Sequence, residues 1–387
     1  MAAVKLSDVA REAGVSPATA SRVLNGSART PAAEIAERVR AAAAALGYIP
    51  NAQAQALARS SSGLLGLVVH DIADPYFSSI ARGVQAAARA HGKTLLLIST
   101  EGTPAEERDA VEAFASRRTD AIVMAGSRSL READSADNDA LAHAAARYEE
   151  NGGTVVMVGS PLLPPTHDGG DAPPQPGSPG AGAESGPGSG AQVLEIPNEA
   201  LAADLARELV GAGWSRFAVV AGPEGLVTSD LRLAGFRRGL REVGAPEAEV
   251  LRAAFNRAGG FGAAEALEAL AGSGSGDGGA AGERLCVFAV NDRMAMGAVA
   301  GLRARGLSAP DDYGIAGFDD IDTLADFVPE LTTVHLDLEQ MGHDAASAAL
   351  ASGHTGARSA GSRGAGSHGG ALPPAVGRVV VRASTAR

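Results

Sequence analysis

Small, polar and basic side chains near the start of the chain form a pattern that could bind an anion. Helical spacing in the segment SDVAREAGVSPATASRVLN, residues 7–25, predicts an outer face made of Pro17, Ala18, Ser21 and Arg22. Residues 1–60 carry seven Lys or Arg and four Asp or Glu, whereas the rest of the chain carries 26 and 41. A basic start on an acidic chain favours contact between that start and nucleic acid, although an excess of three charges also arises by chance.

Two short helices must position that face. The apolar residues of the first helix recur at i, i+3, i+4 and i+7, namely Leu6, Val9, Ala10 and Ala13. Gly14 predicts the end of this helix, because glycine accepts the left-handed conformation that closes one. Ser16-Pro17 predicts the N-cap and first turn of a second helix. The inner face of that helix is made of Ala20, Val23 and Leu24. This arrangement predicts a helix-turn-helix.

A third helix is predicted to complete this small unit. Thr30-Pro31 repeats the N-cap signal, and Gly47 marks the predicted end. The buried stripe is predicted to be Ile35, Val39, Ala42 and Leu46. The pattern alone leaves open a three-helix bundle that binds no ligand.

The composition is that of a globular protein of two or three domains, with 387 residues, 45% hydrophobic and 20% charged. Cys286 is the single cysteine, which excludes an internal disulfide and favours a reducing cytoplasm. The first residues follow a helical pattern and do not resemble a signal peptide. No apolar run reaches the roughly 18 residues that span a membrane. We therefore expect a cytoplasmic protein without membrane contact.

Beyond residue 63 the pattern alternates between strands and helices. Apolar runs such as LLGLVV, TLLLIS and LCVFAV are typical of buried parallel strands, and helix-length segments follow them. The alternation of strands and helices stops after TVVMV and restarts at RFAVVAG. This interruption predicts two doubly wound α/β lobes with a ligand cleft between them. Three stretches rich in Gly, Pro or Ser are expected to be flexible loops, namely residues 168–190, 271–282 and 353–371.

The segments KLSDVAREAGVSPATASRVLNG and ERVRAAAAALGYIPNAQAQALARS resemble the DNA-binding head and hinge of the LacI/GalR family of bacterial transcription regulators. The resemblance covers nearly every position from Lys5 to Arg59, apart from an apparent extra residue near 26–34. The stretches VTSDLRLAGFRRGL, FAVNDRMAMGAVAGLRARG, IAGFDDID and LTTVHLDLEQMG resemble the effector-binding core of the same family, which is similar to periplasmic sugar-binding proteins.

The resemblance implies a division of the chain into a head, a hinge and a core. The head is expected at 1–48, the hinge at 49–62 and the core at 63–387. The core would hold a first lobe at about 63–160 and 334–354. Its second lobe would lie at about 161–333 and 372–387.

The family resemblance also implies which residues read DNA. The second helix would enter the major groove, where Arg22 can donate two hydrogen bonds to a guanine. Leu57 matches a leucine that would wedge into the minor groove, although it could instead be a packing residue. The implied DNA-binding set is Pro17, Ala18, Thr19, Ser21, Arg22, Asn25 and Leu57.

The effector site implied by the resemblance is made of Tyr76, Phe77, Arg232, Phe255, Asn291 and Asp319. The Arg232 guanidinium donates hydrogen bonds, Asp319 accepts them and Asn291 can do both, while aromatic faces stack on a ring. These properties suit a polyhydroxy ligand. Plainer roles stay open: Tyr76 and Phe77 as core residues, Arg232 as a surface ion pair, and Asn291 and Asp319 as helix caps. The chain departs from the family at Gly159, where an Asp is common, and at Leu336, where a Gln is common. These changes predict a smaller or less polar ligand, or none held tightly.

The expected function is that of a transcriptional repressor that binds operator DNA as a dimer and is controlled by a sugar-like effector. Pairing of dimers into tetramers stays open. We expect no enzyme activity, cofactor or metal, because no nucleotide-binding loop, nucleophile motif or metal-ligand spacing is present. The alternatives are a solute-binding protein, which the head argues against, and an α/β enzyme on the same core.

Overall fold

The chain divides into two units, Met1–Gly63 and Leu64–Arg387. The computed structural model describes residues 4–25, 31–49, 61–164, 191–272, 284–352 and 372–386. The predicted fold class is confirmed, because an all-α unit precedes two lobes built on parallel sheets. Within these described ranges, no helix combines the length and apolar character needed to cross a membrane.

The first unit is a three-helix head made of α1 (Leu6–Glu12), α2 (Pro17–Asn25) and α3 (Ala33–Leu46). As predicted, Gly14 follows α1 with a left-handed φ of 64°. The apolar faces meet in one core made of Val9, Ala10, Ala13, Ala20, Val39, Ala42 and Ala43. The predicted start of α3 was wrong, because Ala32 is its N-cap and has no side-chain cap bond.

The first lobe is a five-stranded parallel sheet in the order β2-β1-β3-β4-β5. Its strands are β1 (Leu64–Val69), β2 (Thr94–Ser99), β3 (Ala121–Gly126), β4 (Val155–Gly159) and β5 (Gln192–Glu195). The helices that follow its first three strands are α4 (Pro75–Ala90), α5 (Pro104–Ser116) and α6 (Ser135–Glu150). The strands pair in register at their carboxyl ends, so their following loops lie along one edge, where ligands of such sheets bind.

The second lobe is a four-stranded parallel sheet in the order β7-β6-β8-β9. Its strands are β6 (Arg216–Ala221), β7 (Glu249–Arg252), β8 (Leu285–Ala289) and β9 (Gly314–Ala316). Its helices are α7 (Asn198–Gly211), α8 (Val227–Glu242), α9 (Arg257–Gly262), α10 (Ala264–Gly272) and α11 (Asp292–Ala304). Large apolar side chains such as Phe236 and Phe288, stacked 4.7 Å apart, fill the space beneath this sheet.

The last segments of the described chain connect the lobes. Strands β10 (Thr333–Leu336) and β11 (Gly377–Val380) pair antiparallel as a separate ribbon. Helix α12 (Leu338–Ser352) returns to the first lobe and packs on α4. The chain thus passes between lobes after β5, after β10 and before β11.

Two boundaries expected from the sequence need correction. Strand β5 pairs with β4 and belongs to the first sheet, so assigning every residue from about 161 to 333 to the second lobe was wrong. The predicted loop at 271–282 begins too early, because α10 continues to Gly272. Predicted loops 168–190 and 353–371 lie outside the described residues.

Candidate DNA-reading and ligand-binding sites

The outer face of α2 presents a free basic side chain. Pro17, Ala18 and Arg22 are exposed, while Thr19 and Ser21 are half-buried. Within the described part of the chain, Arg22 has no hydrogen bond or ion pair, whereas Arg11 and Arg40 on the neighbouring helices are paired with Asp8 and Glu37. All donors of the Arg22 guanidinium are therefore available to an external acceptor.

The start of α2 is fixed by Ser16, as predicted. Its Oγ accepts a hydrogen bond from the Thr19 amide at 3.1 Å and lies 2.9 Å from the Thr19 hydroxyl. The Thr19 hydroxyl thus already takes part in the cap, and a phosphate contact would have to share it. The side chain of Asn25 and all of Leu57 lie outside the described residues.

The two lobes contact each other on both sides of the cleft. On one side, residues 127–130 pair with residues 225–228, with the Val227 amide donating to the Arg128 carbonyl at 3.0 Å and the Leu130 amide donating to the Gly225 carbonyl at 2.7 Å. On the other side, Arg293 at the start of α11 lies 3.3 Å from Asp71 and 3.0 Å from Asp74. The two lobes therefore touch at two separate places in this structure.

Arg232 lies at the centre of the second-lobe wall and is 2% exposed, so the plainer reading as a surface ion pair was wrong. Its guanidinium donates to the Asn198 side chain, the Val290 carbonyl and the Asp319 carboxylate, each at 2.8 Å. The same group stacks 3.7 Å above the Phe318 ring. Three hydrogen bonds and a stacked ring hold the fork rigidly at the carboxyl ends of the strands.

Asp319 and Asn291 have different roles, although the sequence left open that both residues cap helices. Asn291 is the N-cap of α11, since its Oδ1 accepts from the Met294 amide at 2.7 Å. Asp319 caps no described helix and instead binds Arg232, in a left-handed backbone conformation with φ of 113°. Burial raises the pKa of Asp319 to about 6, against the lowering effect of Arg232.

Of the two aromatic site residues in the first lobe, one lies in the hydrophobic core and the other is partly exposed. Phe77 is 9% exposed and belongs to the hydrophobic core, whereas Tyr76 is half-buried and meets it edge-on at 5.0 Å. Burial raises the pKa of Tyr76, Asp319 raises it further and Arg232 lowers it, which places the phenol beside that ion pair. Phe255 is half-buried, and its ring lies against Gly222 at the end of β6.

At two departures from the family pattern, the structure has apolar surroundings. Gly159 ends β4 beside Gly126 of β3, and a Cβ at Gly159 would lie 3.7 Å from the Ile196 side chain. Leu336 is 2% exposed and packs in the core. A polar ligand therefore gains no contact from either side chain.

Sequence reasoning missed several buried charged residues around the cleft. Glu107 and Arg128 form an ion pair, with each side chain about 2% exposed, and His70 lies 3.2 Å from the same carboxylate. Asp292 is fully buried and accepts from the Thr333 hydroxyl at 2.6 Å and from the Ile321 amide at 3.0 Å. Burial raises the pKa of Asp292 well above its ordinary value. The one signal in the sequence was that His70, Arg128 and Asp292 each follow a strand within three residues.

The comparison with known families covers most of the chain. Residues 5–51 match the bacterial regulatory proteins of the lacI family. Residues 62–161 match the periplasmic binding proteins and sugar binding domain of the LacI family. Residues 206–385 match a periplasmic binding protein-like domain. The three matches follow the order of the head and the two lobes.

Individual relatives agree with these matches. The HTH-type transcriptional regulator GalR of Escherichia coli is 30% identical over 353 residues, which cover 91% of this chain and 89% of GalR. The Lac repressor dimer bound to operator and the anti-inducer ONPF aligns over 100% of both chains, with a TM-score of 0.74 and 23% identity. The complex of the transcriptional regulator CelR with cellobiose aligns over 98% of this chain and 99% of CelR, with a TM-score of 0.62 and 24% identity.

The two structural likenesses show the fold alone, whereas the GalR match extends over nearly the whole of both proteins. The head carries the lacI-family pattern, and its second helix exposes an unpaired arginine. The chain therefore belongs to the LacI family of bacterial regulatory proteins and is a DNA-binding transcriptional regulator.

Proposed function

We propose that this protein is a repressor whose affinity for operator DNA is controlled by a small sugar-like effector bound between the two lobes. The observation that carries this proposal is the combination of a free Arg22 on the head with a rigid Arg232–Asp319 pair at the strand ends of the core. The matching Lac repressor structure holds both operator and anti-inducer, and the CelR structure holds cellobiose. We retain the division into head (1–48), hinge (49–62) and core (63–387).

On the head, we assign DNA contacts to Pro17, Ala18, Thr19, Ser21, Arg22, Asn25 and Leu57. Arg22 reads a guanine in each half-site, because its fork is exposed and unpaired among the described residues. Pro17 and Ala18 have no side-chain donors, so they meet DNA by shape or by contact with a thymine methyl group. Leu57 retains its assignment as a minor-groove wedge from the sequence alone.

In the core, we assign effector contacts to Tyr76, Phe77, Arg232, Phe255, Asn291 and Asp319. Arg232 has already used three of its donors on protein groups, so it acts mainly by orienting Asp319 toward the ligand. Asn291 uses its oxygen to cap α11, and its amide nitrogen has no partner among the described residues. Asp319 therefore offers an acceptor and Asn291 a donor.

We further propose that the protein acts in the cytoplasm, has no catalytic activity and needs no cofactor. Its whole-length relative GalR is a transcriptional regulator, and the effector site requires only binding. A solute-binding protein would bind the sugar but no specific DNA sequence, which separates that alternative experimentally.

We propose that the protein forms a homodimer through an exposed apolar surface beside α11. Phe261 is 49% exposed and Val328 is 75% exposed. The backbone of Phe261 packs against Gly301 of α11, and Arg303 of the same helix donates to the Val328 carbonyl at 2.7 Å. Large apolar side chains that are this exposed favour burial against a second copy.

Replacing Phe261 with Glu should convert the dimer to a monomer, because each subunit would bury an unpaired carboxylate in the twofold interface. Sedimentation velocity at micromolar concentration measures this change directly. Val243→Glu is the matched control, since Val243 is 42% exposed at the end of α8 and lies outside the proposed surface. An unchanged dimer in Phe261→Glu would contradict the proposed interface.

Selection from random double-stranded DNA tests the proposed function. The full-length protein should enrich an inverted repeat with a guanine in each half-site, and its binding should fall as the salt concentration rises. Retention of DNA without enrichment of any sequence would contradict the operator-binding proposal.

A further inference from the structure

Arg293 links the two lobes at a point that the proposed function does not use. It is the second residue of α11 in the second lobe, and its side chain is 28% exposed. Its Nη1 donates to Asp74 Oδ2 at 3.0 Å and to Asp71 Oδ2 at 3.3 Å, and both carboxylates belong to the loop between β1 and α4. One guanidinium of the second lobe is therefore shared by two carboxylates of the first.

The loop of the first lobe holds both carboxylates in place for a cation. Asp74 is the N-cap of α4, with its Oδ1 accepting from the Tyr76 amide at 3.0 Å. Asp71 Oδ1 accepts from the Ala73 amide at 2.9 Å, and the Asp71 carbonyl accepts from the Asp74 amide at 3.0 Å. In each of the two acids, one carboxylate oxygen is thus bound to the loop itself and the other binds Arg293.

The two carboxylates depend on the other lobe for a cation. Among the described residues, no basic side chain of the first lobe forms an ion pair with either of them. The carboxylates repel each other, and attraction to Arg293 offsets this repulsion only while the lobes are together. Asp74 is 17% exposed and Asp71 is 48% exposed, so water screens the attraction to Asp74 less. Separation of the lobes leaves two neighbouring carboxylates without a cation.

A second ion pair, of opposite polarity, joins the same helix to the second lobe. Arg82 of α4 lies 3.4 Å from Asp322, which follows β9. Both side chains are 57% exposed, so this pair by itself contributes little to holding the lobes together. It does fix the order of charges, because α4 presents an acid at its start and a base about two turns later, opposite a base and an acid. A shift of α4 along the second lobe would bring like charges together.

The ion cluster lies beside residues assigned to the effector. Tyr76 is two residues beyond Asp74 on α4, and Asn291 is two residues before Arg293 as the N-cap of α11. The starts of these two helices thus carry an assigned effector residue and one partner of the cluster each. Separation of the lobes to admit a ligand must pull these helix starts apart and break the cluster.

We propose that Arg293, Asp71 and Asp74 form an ionic latch that holds the two lobes together when no ligand is bound. The latch opposes the separation of the lobes that gives a ligand access to the cleft. Arg293 is a positioning residue, since it acts through the two helix starts and not by contact with the ligand. The inference rests on the proposed function only in placing the effector between the lobes. Its test uses neither effector nor operator, so a failure of the latch and a failure of the proposed function are seen separately.

Hydrogen exchange of the full-length, ligand-free protein measures how often the lobes separate. The amides of Leu130 and Val227 donate across the lobes, whereas the Val290 amide donates to Val220 within the second lobe. Mass spectrometry with fragmentation to single residues resolves the three amides. Arg293→Met should speed exchange at Leu130 and Val227 by about three- to tenfold and leave Val290 unchanged. Unchanged exchange at the two interlobe amides overturns the latch, and so does equal acceleration at all three, which would show a loss of overall stability.

Further substitutions at the same position separate charge from side-chain packing. Arg293→Lys should keep most of the wild-type protection, whereas Arg293→Glu should exchange faster than Arg293→Met because three carboxylates would then meet. Raising the NaCl concentration from about 0.05 to about 0.5 M should speed exchange in the wild type more than in Arg293→Met. Arg305→Met is the matched control and should match the wild type, since Arg305 is the C-cap of α11 and pairs with Glu268 within the second lobe. Any other order of the three variants, or an equal response to salt, contradicts an ionic latch.

A double-mutant cycle assigns the effect to the two carboxylates. The combined substitution Asp71→Asn and Asp74→Asn removes both charges, and each asparagine oxygen can still accept the hydrogen bond from the loop. In that background, Arg293→Met should change exchange at the interlobe amides by less than about twofold. An effect as large as in the wild-type background would mean that Arg293 acts through other groups, and the proposed cluster would be wrong.

Discussion

Arg22→Ala should weaken binding to the selected operator by roughly 1–3 kcal/mol for each half-site, because a bidentate contact to guanine contributes about that much discrimination. With two half-sites, this is among the largest effects expected of any single substitution in the protein. The guanidinium is exposed and unpaired within the described residues. Its removal therefore takes no hydrogen bond away from another group of the protein. Fluorescence anisotropy with labelled operator and scrambled DNA, at one fixed salt concentration, measures the difference.

Arg40→Ala is the matched control for this substitution. Arg40 is an exposed arginine on α3, and its guanidinium is already paired with Glu37 at 3.1 Å. Its removal should alter binding to operator and scrambled DNA by small and equal factors. An equal loss on both DNAs in Arg22→Ala would assign Arg22 to a phosphate and contradict base reading.

Arg232→Met should lower the free energy of unfolding by about 3–5 kcal/mol at pH 7.5, because it leaves Asp319 as a buried charge without a partner. The Arg232 hydrogen bonds to Asn198 and Val290 are lost as well. Urea unfolding of the core measures this loss. Arg305→Met is the control, since the Arg305–Glu268 pair at 2.8 Å is on the surface and should contribute less than about 1 kcal/mol.

The destabilisation by Arg232→Met should depend on pH in a defined direction. The pKa of Asp319 in the folded wild type is about 6, above its ordinary value of 3.8. Ionisation of this carboxyl group therefore lowers the free energy of unfolding progressively as the pH rises from 3.8 to about 6. At higher pH the loss stays constant. Without Arg232 the carboxyl group holds its proton to higher pH. The difference between variant and wild type should therefore shrink as the pH falls from 7.5 to 5, and a difference that grows on acidification would contradict this account.

The elements that were predicted correctly from the sequence have strong local signals. The strand Leu64–Val69 is an unbroken apolar run, and α2 begins at a serine followed by proline. Strand β5 was missed because the four residues QVLE are no apolar run, and only pairing with β4 makes them a strand. Its assignment depends on a contact between segments that are distant in sequence.

The same limit applies to the site. Glu107 lies in the charged run PAEERD, which is typical of a solvated first turn, yet it is buried because Arg128 reaches it from the end of β3. The resemblance to the family identified Arg232 and Asp319 but not their mutual hydrogen bond or the contribution of Asn198. Partners of buried charges are set by tertiary packing, which spacing along the chain does not encode.

The central claim is that ligand in the core and DNA on the head are linked. The most direct measurement is the affinity of the full-length protein for a sugar, chosen as the one among ribose, galactose and cellobiose that binds most tightly. This affinity is determined with and without saturating operator. If the sugar lowers operator affinity by some factor, operator must lower sugar affinity by the same factor, because the coupling free energy is reciprocal. We predict matching factors greater than about five. Identical sugar affinity in the presence and absence of operator would contradict the account.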